Sequence, residues 1–100
     1  MAYQQFQVVR LVDDALAVIV QSDLLDASAL RVVVPLVPIS GLETASKSLN
    51  PAFQIGDEVY HFVPQLIGTV ALGEIAKVVL PVRDQRDEIT RALDLLFHGV

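Results

Sequence analysis

A chain of 100 residues suffices for one domain with a modest core, burying roughly 60–68 % of the surface that its unfolded form would expose. With 53 % hydrophobic and 19 % charged residues it lies well outside the range of intrinsic disorder, and its formal charge of −5 argues against broad attraction to a phosphate backbone. The absence of cysteine excludes disulfides, thiolate catalysis and cysteine-ligated metal sites.

In chain order, the opening Met1-Ala2-Tyr3-Gln4-Gln5 lacks the basic-then-apolar character of a secretory leader, and no uncharged run reaches membrane-spanning length. Cytoplasmic residence is the expectation. Residues 6–12 form a β-branched run predicted as a strand, and Asp13-Asp14 turns it into a second run over 15–20, making a hairpin. The Val18-Ile19-Val20 density of the second run favours strand over helix. Residues 21–28 carry turn and cap chemistry around Leu24 and Leu25, predicting a loop or one short helical turn. A third strand is predicted over 30–36. Pro35 has no N–H for a ladder, so this strand is expected at an edge or broken by a bulge.

Residues 42–49 read as a marginal helix or a plain excursion. Residues 51–64 read as strand, Gly56-Asp57 turn, strand, with glycine free to take positive φ. Two more apolar runs, 66–72 and 75–80, are predicted as strands separated by Gly73-Glu74, with a bend or bulge at Gly68. About seven short strands followed by one helix point to a mainly β protein, a small twisted sheet or partly open barrel, forming a single domain over 1–100. So apolar a chain is also expected to bury surface against a second copy.

The final helix, about 84–98, has the strongest periodicity. Ile89, Ala92, Leu93, Leu96, Phe97 and Val100 form one stripe that can cover the sheet, while Leu95 and His98 fall away from it, free to face solvent, a second subunit or a target. Asp84 is the predicted cap, with Asp87 completing an acidic capping box and pairing with Arg91 one turn on. Gly99 is the predicted stop.

Catalytic patterns are sparse. His61 sits in an alternating strand and reads as a satisfied or solvent-facing residue; no HExxH, nucleophile elbow or nucleotide-binding glycine motif occurs. Neither a metal nor another cofactor is therefore expected. Of the enzymatic alternatives, a metal-independent endoribonuclease would draw on Arg31 for phosphate and Ser22 for nucleophile positioning, if folding brought them together.

The ordered set Phe6-Gln7-Val8-Val9, Val20-Gln21-Ser22-Asp23-Leu24-Leu25-Asp26, Val33-Val34-Pro35-Leu36, Ile55-Gly56-Asp57-Glu58 and Ala92-Leu93-Asp94-Leu95-Leu96-Phe97-His98-Gly99-Val100 resembles the CcdB family, the toxin halves of bacterial toxin–antitoxin modules. The resemblance covers essentially the whole chain at nearly constant spacing. It implies an SH3-like barrel core of the CcdB/MazF type with a small additional sheet and a C-terminal helix, assembled as a homodimer.

It further implies a protein that is not an enzyme: it binds the DNA gyrase A subunit and traps the gyrase–DNA cleavage complex. A cognate antitoxin with a disordered C-terminal arm neutralises it, and the two together repress their operon, with operator DNA contacted through the antitoxin complex. The resemblance assigns gyrase contact to Phe97, His98, Gly99 and Val100, with Leu95 as an additional candidate. Gly99 and Val100 match the family's glycine and terminal aliphatic residue, whereas His98 stands where the toxic pattern has tryptophan. Loss of a buried aromatic anchor costs about 2 kcal/mol, roughly thirtyfold in affinity. A non-toxic, antitoxin-binding regulatory homologue is the other alternative.

Overall fold

The computed structural model describes residues 3–39 and 46–99. Seven strands occur among them: β1 (Gln7–Leu11), β2 (Leu16–Ile19), β3 (Leu30–Pro38), β4 (Ala52–Ile55), β5 (Glu58–Phe62), β6 (Gly68–Ala71) and β7 (Ile75–Pro81), followed by one α-helix, α1 (Arg86–His98). The sheet order is β4-β5-β3-β2-β1-β7, with β6 also paired to β3. The result is a mainly β fold, a curled half-barrel sheet with a helix packed on it.

Strand β3 organises this arrangement, because β2 lies along one edge while β6 and β5 share the other. Leu30 to Val33 pair with β6, and Leu36 to Pro38 pair with β5. Pro35 falls at the change of partner. Its carbonyl accepts the Val63 N–H at 3.0 Å, so its nitrogen faces the same side, where no ladder donor is required. The expected edge strand is therefore a central one: the change of partner from β6 to β5, invisible locally, accommodates the proline. The expected bulge at Gly68 is also absent, since Gly68 opens β6 in register with Val33. The irregularities lie between β1 and β7, at Val8/Val9 and Arg10/Leu11.

All four residues of β2 are buried because both faces of the sheet are covered here. On one face Val8, Leu16, Val18, Val34 and Leu36 pack with Phe53, Phe62 and Val82 beneath Ile89 and Ala92 of α1. On the other, Val9, Ala17, Ile19, Val33 and Ile75 form a second cluster, with Tyr3, Leu11 and Val70 packed against it. The period-two alternation along each strand sorts neighbours into the two cores.

Among the described residues, two non-glycine residues have positive φ, Phe6 (65°) and Asp14 (72°). Phe6, expected as the first strand residue, instead precedes β1. It is held by its N–H to the Ile19 carbonyl and by the Val82 N–H to its own carbonyl, both 2.7 Å. Packing of its half-buried ring on the core offsets the backbone cost. Asp14 closes the β1–β2 hairpin with its N–H to the Leu11 carbonyl at 2.9 Å, in the position where a three-residue hairpin favours glycine. Asp14→Gly should therefore raise unfolding free energy by about 0.5–1 kcal/mol, measured as a higher urea midpoint at constant slope; an unchanged midpoint would deny the strain.

The turn at 21–28 contains the anticipated single helical turn, a 3₁₀ segment (Asp23–Leu25) capped by Ser22 Oγ on the Leu24 N–H. Of the marginal helix considered for 42–49, residues 42–45 lie outside the described set and 46–49 form turn structure. The run over 66–72 is shorter as a strand than expected: Pro64–Leu66 form a 3₁₀ turn before β6.

Candidate functional site

Helix α1 is preceded by a 3₁₀ turn (Arg83–Gln85), and its N-cap is Gln85 without a side-chain bond, so the expected Asp84 cap and acidic capping box do not form. The 3₁₀ turn displaces the helix start beyond Asp84. The expected Asp87–Arg91 pair is absent too; among the described residues the only ion pair is Arg86–Asp87 at 4.0 Å, on exposed side chains.

The C-terminal end follows the sequence more closely. Gly99 is left-handed (φ 75°, ψ 18°), and its N–H closes the helix on the Leu95 carbonyl at 3.0 Å. A Cβ at Gly99 would meet nothing within 4 Å, so backbone conformation rather than space calls for glycine.

Burial of α1 is centred on Ile89 and Ala92, while Leu93, Leu95 and Leu96 are half-buried. Phe97, placed by periodicity in the stripe that covers the sheet, is instead 61 % exposed. It lies at the margin of that stripe in the last turn, so a large aromatic side chain is left in water beside exposed His98. Leu95, expected to fall away from the main stripe, is partly covered. Val100 lies outside the described residues. Phe97, His98 and Gly99 thus form a contiguous exposed end, positioned by a helix whose earlier turns are anchored in the core.

A second exposed apolar surface was not identified as a site from sequence. Leu24 is 94 % exposed and Leu25 is 59 % exposed. Their turn is tightly held: Asp23 Oδ1 accepts the Gln5 N–H at 2.8 Å, and Gln21 Nε2 donates to the Leu25 carbonyl at 3.2 Å. Two leucines flanked by Ser22-Asp23 cap chemistry were the available signal, since so short a turn gives its middle residues no apolar face to join.

The residues considered for RNA cleavage have other work. Arg31 is only 3 % exposed, and its guanidinium donates to the carbonyls of Tyr3, Asp26, Ser28 and Leu30 at 2.8–3.1 Å. Ser22 Oγ caps the 3₁₀ turn. Neither side chain is presented as phosphate-binding or nucleophile-positioning machinery. His61 is half-buried and satisfied through Nδ1, 3.0 Å from the Asn50 carbonyl. Because a carbonyl only accepts, Nδ1 carries the hydrogen. Asn50, itself 3 % exposed, donates from Nδ2 to the Phe62 carbonyl and Gln65 Oε1, and accepts the Ser46 N–H, clasping the 46–50 turn to β5.

No helix of the described residues is long and apolar enough to cross a membrane. A family model described as CcdB protein matches residues 3–99, nearly the whole chain and both exposed surfaces. The chain belongs to the CcdB family and is a toxin of the toxin–antitoxin type.

Proposed function

We propose that this protein acts in the cytoplasm as a homodimer that binds the DNA gyrase A subunit and traps the gyrase–DNA cleavage complex, by contact rather than catalysis. Phe97, His98, Gly99 and Val100 form the gyrase-binding end, with Leu95 supporting it at the margin. The observation that carries this reading is the 61 % exposure of Phe97 at the end of a core-anchored helix closed by a left-handed glycine. An exposed aromatic beside a rigid turn is the kind of anchor that dominates protein interfaces. Leu24 and Leu25 supply a second apolar surface for partner contact. A cognate antitoxin with a disordered C-terminal arm neutralises the toxin, and the two repress their operon together, the antitoxin complex contacting operator DNA.

Purified gyrase and supercoiled DNA test the proposal directly. The toxin should leave linear DNA after protein denaturation, and Phe97→Ala should abolish trapping while changing unfolding free energy by no more than about 0.5 kcal/mol. His98→Trp should tighten gyrase binding by about tenfold or more, because the indole adds stacking area. No gyrase complex and no linear product at saturating toxin would reject the proposal in favour of a regulatory homologue.

A further inference from the structure

His98 is the last residue of α1 and stands in water between exposed Phe97 and Gly99. Among the described residues it forms no ion pair. Two charged side chains share its side of the helix, Asp94 one turn back and Arg91 two turns back, and both are exposed. Two 3₁₀ turns pack against α1. Pro64–Leu66 carries no charged group, whereas Arg83–Gln85, with Arg83 and Asp84, lies at the opposite end, about 20 Å away along the axis. The cluster beneath Ile89 and Ala92 is apolar except for Tyr60, which packs against it.

Histidine is the side chain whose charge ordinarily changes between pH 5 and 8, so this end offers two neutral rings at the upper limit and a ring beside a cation at the lower. In the free protein water hydrates either form. Under a partner both rings lose that water, and the loss is far costlier for an imidazolium than for a neutral imidazole. The last-turn carbonyls favour the cation with and without a partner, so their effect largely cancels. Asp94 is the nearest carboxylate along the helix, but it is not paired with His98, and an exposed pair at this spacing is too weak to replace hydration. A partner surface complementary to a chain of net charge −5 is basic, which opposes the imidazolium a second time.

We infer that His98 makes the helix-end contact pH-dependent: the partner accepts the neutral imidazole and rejects the imidazolium. The inference rests on the gyrase reading above and adds a regulatory property to that site. Because the complex excludes the proton, affinity is complete where the free ring is neutral and falls as pH falls, by at most about tenfold per pH unit for one proton. Phe97, Leu24 and Leu25 have no titrating side chain to contribute. The other histidine, His61, lies apart, in a groove it shares with Lys47 and Arg91, with Nδ1 held at the Asn50 carbonyl.

Calorimetric titration of purified gyrase A subunit with the full-length protein and with His98→Gln, at about pH 8 and about pH 5.5, provides the test. Glutamine keeps a polar side chain that is uncharged at both values, and comparing the two proteins at the same pH cancels any titration of gyrase or of His61. Between the two pH values the native protein should lose at least about fivefold more affinity than His98→Gln. In buffers of different ionisation heat at the lower pH, its complex should release more protons than that of the variant. His98→Trp should behave like His98→Gln in its pH response while binding more tightly. No complex at either pH would reject the gyrase reading and this inference together. Complexes whose native-to-variant affinity ratio is the same at both pH values would overturn this inference alone. Tighter native binding at the lower pH, or net proton uptake relative to the variant, would mean that a partner carboxylate receives the imidazolium, and would overturn it as well.

Discussion

Arg31→Met should lower the unfolding free energy by about 3 kcal/mol, read as a reduced urea midpoint at unchanged slope. Methionine can fill much of the stem's volume but offers none of the donors that now reach the carbonyls of Tyr3, Asp26, Ser28 and Leu30. Each hydrogen bond to a charged donor contributes roughly 1.5–3 kcal/mol, and water at the surface side of the 26–30 segment recovers part of that loss. No carboxylate pairs with Arg31 among the described residues, so the contribution is from directed hydrogen bonds and should change little with salt. Arg31→Lys separates geometry from charge. It retains the cation but lacks the planar fork that reaches several acceptors at once, and should remain measurably less stable than the native protein. Native stability in Arg31→Lys would show that charge alone suffices.

Phe62→Ala should cost about 3–5 kcal/mol, with a fall in melting temperature of more than about 12 °C for a domain of this size. Phe62 is fully buried, its ring centroid 5.8 Å from that of Phe53, in the cluster beneath Ile89 and Ala92. Truncation therefore removes both the transfer term and an aromatic pair, and leaves a cavity between sheet and helix. The Phe62 carbonyl still accepts from Asn50 after substitution, so the loss reports packing rather than the polar clasp. Phe62→Leu, which refills most of the space, should recover more than half of the lost stability. A loss below about 1 kcal/mol in Phe62→Ala would mean that the layers close over the gap. The contrast with Phe97→Ala is informative: these two phenylalanines differ in what covers them, so only the first substitution should act strongly on folding, while the proposed gyrase contact predicts an effect of the second on binding.

That contrast also marks the reach of sequence periodicity. Ile89 and Ala92 were legible as the buried centre of the helix, and Gly99 as its end, because helical spacing and left-handed termination depend on residues within a few positions. Phe97 shared the spacing but not the burial, since periodicity specifies a direction around the helix and not how far the covering sheet extends. Asp84 shows a related limit. Its cap pattern was plausible locally, yet the 3₁₀ turn at Arg83–Gln85 moves the helix start past it.

Short-range chemistry was enough to establish the β1–β2 hairpin, the Gly56 turn, the mainly β composition, the terminal helix and the ordered motifs by which the chain resembles its family. Each is encoded in side-chain alternation, turn propensity or residue order along a continuous segment. Long-range packing alone decided that Pro35 lies in a central strand, that Arg31 is enclosed by four carbonyls, and that Lys47, His61 and Arg91 line one groove. The physical reason is the same in every case: burial, donor satisfaction and electrostatic surroundings are set by groups far apart in the chain, and no local pattern carries the identity of those neighbours.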